Sequence, residues 1–417
     1  MWKSLSAATL CGVSLLACSP QHPESSPHAK STELTEQPTS NQNEKELVLP
    51  LCDIPLVPPA PQADTAAFAN YAWKQFIALN WPVKADERGV PDCTKPLGSP
   101  GFTVWQSYKT TDEIFLPDAE DPGPWNSPVG VKLLQYAAKA NASLPVQESI
   151  AQAVGGWLID QNSNPTYYAI SVNETSYDYV RTNQYYDKDV VSTASSIRFP
   201  TGSLEVKAAW KILTDSDDAS RYISMTAQVE NFDNQGNPAG STREATVGLV
   251  GFHIVAQAAG YPQWLWATFE QQDNLDKNGG AGSYHDPNCS GSYCEPNISP
   301  KTSGQPFTTP NQITRVTPLD KSVVMANTTW QALVKNTPLQ YYQLISPQWP
   351  TDPNDPGNPQ GSPTPGVVAN TTMESYIQPI SSCMDCHSTA RVPGDSVKSN
   401  YSFIFLFAQS ASQGGAQ

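Results

Sequence analysis

Proline is the feature of this sequence that most restricts the fold. The 417 residues include 38 prolines and 25 glycines, whereas only 15% of the chain is charged. Such a composition disfavours a helical bundle and favours strands joined by many turns. Hydrophobic residues make up 39% of the chain and aromatic residues 10%, so most of it should fold. The sequence therefore predicts an α+β protein, with a mainly antiparallel β body and peripheral helices.

Charge and hydropathy exclude two classes of protein. Lys and Arg total 24 against 39 Asp and Glu, which gives a formal net charge of −15. A nucleic-acid-binding protein needs a basic surface, and this composition does not supply one. No apolar stretch reaches the ~18 residues that a transmembrane helix requires. We therefore expect no nucleic-acid partner and no membrane-spanning helix.

The N-terminus has the pattern of an export signal: Lys3, a mostly apolar stretch over residues 5–16, and the sequence Leu-Leu-Ala-Cys ending at Cys18. A cysteine directly after Leu-Leu-Ala resembles the lipobox of bacterial lipoproteins. That resemblance implies cleavage before Cys18 and diacylglycerol on its sulfur; an ordinary signal peptide is the alternative. Ser19, where Asp would suggest inner-membrane retention, favours the outer membrane. We predict a signal peptide at 1–17, a disordered tether at 18–49, and an outer-membrane lipoprotein facing the periplasm or the cell surface.

The strongest chemical signal lies near the other end, where residues 383–387 read Cys-Met-Asp-Cys-His. Two thiols three positions apart can each form a thioether to one vinyl group of the same porphyrin, and the adjacent imidazole then reaches the iron. A redox dithiol would need a βαβ context, and a zinc site would need two further ligands nearby. We therefore predict one covalent haem c bound through Cys383 and Cys386, with His387 as an axial iron ligand.

Four cysteines remain once Cys11 has left with the signal peptide and the lipid and haem cysteines are assigned. An even remainder in an oxidising compartment predicts two disulfides. Three pairings are open to four cysteines, and we favour nearest neighbours, Cys52–Cys93 and Cys289–Cys294. A metal site made of His285 and the latter two cysteines is the alternative, although it lacks a fourth ligand.

Hydrophobic periodicity and β-branched content place the regular elements. Helices are predicted over residues 66–79, with Asp64 or Thr65 as N-cap, and over 128–140, 321–333 and 371–378. Strands are predicted over 167–172, 177–180, 202–213, 223–229, 243–257 and 265–270. Residues 272–312 are predicted to be loop, 346–365 a proline-rich separator, and 401–408 a buried strand or short helix.

The haem motif does not resemble an independent small cytochrome domain. In that module a downstream Met binds the iron, but only about 30 residues follow His387, and none is Met or His. A second axial side chain must therefore come from upstream. We expect one folded domain over 50–417, with a helix-and-loop haem-attachment segment at about 366–417 packed on it. His253 and Met373 are the leading candidates for the second ligand; the others are His285, Met225 and Met325.

Two residues could act in catalysis if the iron keeps an open position. His253 lies in an apolar strand, and Glu270 ends the strand that follows it. Either side chain could serve as an acid or base above the iron. A hydrogen-bonded core histidine and a solvated strand end are the simpler interpretations of these two residues.

The chain is also similar to bacterial proteins known only as cytochrome c family lipoproteins. The shared phrases are FIALNWP at 76–82, GSLEVKAAW at 202–210, GFHIV at 251–255 with WLWATFE at 264–270, and NTTME at 370–374. This resemblance spans nearly the whole folded region and implies one integrated haem protein. It brings no firm activity with it, and only the haem motif carries over residue by residue.

The sequence favours a lipid-anchored one-electron carrier, whose acidic surface would steer it toward a redox partner protein with a basic face. A haem enzyme, peroxidase-like or oxidase-like, is the alternative, because the body is larger than a shuttle requires. A third interpretation is a sensory or assembly lipoprotein with a structural haem.

Overall fold

A computed structural model of the chain describes residues 51–130, 132–134, 156–277, 280–394 and 397–411. The predicted signal peptide, tether and lipidated Cys18 lie outside these residues. Within the described ranges, no helix combines the length and apolar character needed to cross a bilayer. The described α-helices are α1 (Thr65–Leu79), α2 (Thr111–Ile114), α3 (Glu174–Thr182), α4 (Lys188–Val191), α5 (Pro300–Ser303), α6 (Lys321–Leu333) and α7 (Cys383–His387). Short 3₁₀ turns span Trp105–Ser107, Pro117–Ala119, Ala219–Arg221, Gln272–Asn274, Pro338–Tyr341, Gln378–Ile380 and Ile404–Phe407.

One large sheet organises the body. The described strands are β1 (Val83–Lys84), β2 (Glu87–Pro91), β3 (Lys109–Thr110), β4 (Leu133–Leu134), β5 (Tyr167–Val172), β6 (Leu204–Ile212), β7 (Ser224–Phe232), β8 (Pro238–Ala256), β9 (Leu265–Gln271), β10 (Asp276–Lys277), β11 (Gly280–Ala281), β12 (Tyr342–Pro350) and β13 (Pro363–Thr364). Nine of them form a sheet in the order β13-β12-β9-β8-β6-β5-β3, with β7 on β8 and β4 on β7. Its pairings are antiparallel except β4–β7. The α+β prediction, with a mainly antiparallel body and peripheral helices, is confirmed.

Helices α1 and α6 cover one face of the sheet, and aromatic side chains fill the interface. Helix α1 begins where Asp64 accepts a hydrogen bond from the backbone N–H of Ala67 at 2.9 Å, as the N-cap prediction expected. Its Phe76 stacks on Phe269 of β9 with ring centroids 4.2 Å apart. The indole of Trp73 donates to Asn327 of α6 at 2.9 Å. Burial of these large apolar rings stabilises this side of the sheet.

Three predicted elements were wrong. Residues 177–180 belong to helix α3, because Asn173 caps it and Tyr177 and Val180, three apart, share its buried side. Residues 371–378 form turns instead of a helix. The predicted helix at 128–140 is absent from its described part, which contains strand β4; the remainder lies outside the described residues.

Strand β12 occupies the start of the segment predicted to be a proline-rich separator. It pairs with β9 despite Pro347, and its register shifts between Leu344 and Ser346, just before that proline. Proline has no backbone N–H to donate, and a sheet tolerates such a residue at a bulge or register shift. The short buried turn Ile404–Phe407 agrees with the prediction for the apolar tail.

The prediction of two disulfides is confirmed. Cys52 bonds to Cys93, and Cys289 bonds to Cys294. The alternative metal site with His285 is therefore wrong, because both of its sulfur ligands are consumed in a disulfide.

Candidate haem-attachment site

The Cys-x-x-Cys-His motif forms the five-residue helix α7. Gln348 of β12 holds it to the sheet by accepting from the backbone N–H of Met384 at 2.8 Å and donating to the Ser382 hydroxyl at 3.1 Å. Met384 is fully buried beneath it. Cys383 is a partly exposed residue and Cys386 an exposed one, and neither is in a disulfide. Burial raises the pKa of both thiols. Two unbonded thiols therefore lie on one turn of helix.

His387 is held in the form that binds a metal. Its Nδ1 lies 2.7 Å from the backbone oxygen of Tyr401. A carbonyl only accepts, so Nδ1 carries the proton and the Nε2 lone pair is free. Trp266 and Phe403 flank the ring, with centroids 4.4 and 4.9 Å away. Burial lowers the pKa of His387 to about 4, and the imidazole is therefore neutral at physiological pH.

The sheet face opposite α1, here called the motif face, carries three parallel rows of side chains. Cross-strand pairing places Glu205, Val255, Trp266 and Gln348 in an outer row. Lys207, His253 and Thr268 form the middle row. Ala209, Gly251 and Glu270 form the inner row. Because alternate residues of a strand share one face, all three rows point to the same side of the sheet.

A turn over residues 370–374 lies on the inner row. Asn370 donates to the Thr268 hydroxyl at 2.8 Å and to the Phe269 carbonyl at 2.9 Å. Gly251 lets the turn come this close, since a Cβ there would lie 2.2 Å from the Thr372 hydroxyl oxygen. Side chains also take the backbone donors of the turn: the Thr372 N–H donates to Asn370 at 2.9 Å.

Helix α7 lies on the outer row, and the 370–374 turn lies on the inner row. The middle row therefore runs between them. We define the haem groove as the strip of the motif face that carries Lys207, His253 and Thr268, bordered by α7 on one side and by Glu374 on the other. Glu374 Oε2 accepts from the Asn370 N–H at 2.8 Å and lies 3.6 Å from His253 Nε2. Burial opposes ionisation of Glu374, but His253 and Lys207 lower its pKa below the usual value.

His253 is the one upstream candidate ligand that the structure places in the groove. Its Nε2 is buried and makes no hydrogen bond, which is an unusual state for a buried imidazole nitrogen. Met373 packs in a core cluster with Leu158 and Tyr168, against Gly251 of the inner row. Met325 is 71% exposed on α6, which lies on the other side of the sheet. Met225 is in β7, and His285 lies beyond β11.

Glu270 has a structural role that the sequence did not indicate. It is 1% exposed and forms an ion pair with Arg315. Its other contacts are with Thr371, whose backbone N–H donates at 2.5 Å and whose hydroxyl donates at 2.8 Å. Because both carboxylate oxygens are occupied beneath the turn, Glu270 does not face the groove as an acid or base.

Several residues of the groove escaped sequence reasoning. Gln348 and Tyr401 lie in no recognisable motif, and the shared phrase WLWATFE did not indicate that Trp266 contacts His387. Lys207 had a detectable signal: it is a charged residue inside strand β6, whose other members are buried. Alternation alone places Lys207 on the face opposite Val206, but it does not say what covers that face.

The residues of the groove fit a c-type haem. Two free thiols and a neutral imidazole with its Nε2 available are the donors that this cofactor requires, and the buried Nε2 of His253 makes no hydrogen bond. Comparison of the chain with family models, with curated proteins and with solved structures finds no match.

Proposed function

We propose that this protein is a monohaem c-type cytochrome that transfers single electrons. The observation that carries the proposal is the joint geometry of two free thiols on α7 and the Nδ1–H of His387 bound to a carbonyl. Each thiol adds across one vinyl double bond: a carbon–sulfur bond forms, and the thiol hydrogen passes to the terminal vinyl carbon. The bound haem supplies an iron that gains and loses one electron. His387 binds that iron, and Tyr401 fixes the orientation of the imidazole.

The cellular setting completes this proposal. Lipid on Cys18 anchors the protein to the outer membrane, and the tether at 18–49 gives the folded body reach within the periplasm. The net charge of −15 favours a redox partner protein with a basic face and makes association faster at low salt.

The carrier function requires that the second axial position be closed. His253 is our candidate for that ligand, because its buried Nε2 makes no hydrogen bond, with only Glu374 3.6 Å away, and Met373 is committed to the core. A closed iron exchanges electrons without binding a substrate.

A haem enzyme is a second candidate function, and the His253–Glu374 pair favours it. An imidazole 3.6 Å from a carboxylate is a suitable acid–base pair if the iron position beside it stays open. In that case His253 would move protons while Glu374 orients its ring.

Covalent attachment tests the first proposal. After maturation in a host that attaches c-type haem, haem should remain with the polypeptide through acid–acetone extraction and denaturing electrophoresis. Cys383→Ala and Cys386→Ala should each remove one thioether. Cys289→Ala with Cys294→Ala is the matched control, because it removes two cysteines outside the motif and should retain the haem. Complete release of haem from the wild type would refute the proposal.

Ligand binding separates the carrier from the enzyme. Optical spectra of the ferric and ferrous protein, with and without carbon monoxide or cyanide, report whether the iron is open. For the carrier, the wild type should be low-spin and inert, and His253→Ala should open it, whereas Met373→Leu should change neither property. For the enzyme, the wild type should bind both ligands readily, and His253→Ala should lower peroxide turnover. An unchanged His253→Ala protein would exclude both roles for this histidine.

A further inference from the structure

Lys207 is the one lysine in the haem groove. It pairs across the strands with His253 and is only partly exposed, on a strand whose other residues are buried. Its ammonium lies 5.7 Å from the centroid of the Tyr168 ring, a cation–π distance. Burying part of a lysine beside the attachment motif is costly unless its charge is used, so this position calls for a functional explanation.

The position of Lys207 relative to the motif follows from the strand order. Helix α7 rests on β12 and on Trp266 of β9, and β6 lies two strands from β9 in the sheet. Neighbouring strands are about 4.8 Å apart, so β6 lies about 10 Å from β9. Burial lowers the pKa of Lys207, and the negative charge of Glu374 opposes that shift and favours the charged ammonium.

The other charged groups on the motif face do not fully cancel the positive charge of Lys207. Glu270 is neutralised by Arg315 beneath the turn. Burial raises the pKa of Glu205 to about 7, so this carboxyl is only partly charged at neutral pH. Glu374 is the opposing charge in the groove, and it is shared between His253 and Lys207.

We propose that Lys207 and Glu374 set the reduction potential of the haem, with Lys207 raising it and Glu374 lowering it. This inference rests on the proposed function, because it requires the haem. A fixed positive charge destabilises the ferric iron, which carries one more positive charge than the ferrous iron. Lys207 therefore favours the reduced state, and the Glu374 carboxylate favours the oxidised state. For two unit charges separated by about 10 Å, the spacing of β6 and β9, an effective dielectric constant near 20 corresponds to a change of about tenfold or somewhat more in an equilibrium constant.

The test is spectroelectrochemical titration of the haem-loaded protein at constant pH and salt. Lys207→Gln should lower the reduction equilibrium constant about tenfold, or about 59 mV for a one-electron couple. Glu374→Gln should raise the potential by a similar amount, and the double variant should return toward the wild type. Lys207→Arg should stay close to the wild type because it keeps the charge. Lys335→Gln is the matched control, since this lysine is exposed just beyond α6 on the other side of the sheet.

The outcomes are separable. An unchanged or higher potential in Lys207→Gln, or an equal shift in Lys335→Gln, would overturn the inference while leaving the cytochrome proposal intact. If Lys207→Gln does not take up haem, the Glu374→Gln variant still reports the effect of a charge in the groove on the reduction potential, with the opposite sign. A lower potential in Glu374→Gln would overturn the inference. A wild type without covalent haem would refute the proposed function itself, and the haem stain on denaturing gels shows this before any titration.

Discussion

Replacing Glu270 by Gln distinguishes a structural carboxylate from a catalytic one. In the wild type, Glu270 is buried and pairs with Arg315, and it accepts from the Thr371 N–H at 2.5 Å and hydroxyl at 2.8 Å. Gln preserves the shape but leaves the guanidinium, whose side chain is 16% exposed, without its counterion. Breaking a buried pair by removing one partner costs about 3–5 kcal/mol. We expect the lower end, about 3 kcal/mol, because the amide oxygen can still accept from Thr371.

Urea unfolding followed by tryptophan fluorescence measures this loss, and thermal unfolding should show a fall in Tm of about 4 °C. Glu270→Gln combined with Arg315→Met should lose less than the single variant, because no unpaired guanidinium remains. Glu87→Gln is the control: it breaks the exposed Lys84–Glu87 pair and should cost less than about 1 kcal/mol. A Glu270→Gln protein within about 1 kcal/mol of the wild type, with altered ligand binding at the haem, would refute this reasoning.

Three further predictions follow from the chain. The Cys18→Ala variant should be absent from the membrane fraction but keep the haem spectrum of the wild type. Loss of haem would show that anchoring and folding are linked. Removing the Cys52–Cys93 disulfide should cost about 4 kcal/mol in urea unfolding, against about 2 kcal/mol for the shorter disulfide loop, and equal losses would contradict the loop-length argument. Burial raises the pKa of Glu205 to about 7, so the unfolded chain ionises first and this group's contribution to stability is lost as pH rises from about 4.5 to 7. Glu205→Gln should abolish that slope, and a pH profile parallel to the wild type would contradict it.

Two failed secondary-structure predictions have different physical causes. Tyr177 and Val180 are β-favouring residues, but the local cap from Asn173 and the three-residue spacing of their buried side chains favour a helix. The turn at 370–374 is instead fixed by distant residues: Asn370 donates to Thr268 and Phe269 of β9, and Glu270 accepts from Thr371. Intrinsic propensity is too weak to outweigh such contacts.

The sequence by itself determined the features whose physics is local. The spacing of Cys383, Cys386 and His387 is a property of one helical turn, and the cap at Asp64 involves residues three apart. Runs of β-branched and aromatic residues likewise predicted five of the nine strands of the large sheet. Counting cysteines predicted two disulfides, although it left three pairings open.

Only the tertiary structure decided what surrounds the motif. Lys207, His253 and Glu374 come from strands and a turn far apart in the chain, and the sheet order brings them beside α7. It also assigned Met373 to the core and Glu270 to an ion pair, although the sequence offered both for the haem. Pairing between distant strands has no local signature, because any apolar strand with the right alternation can accept several neighbours; the packing of the whole sheet selects among them.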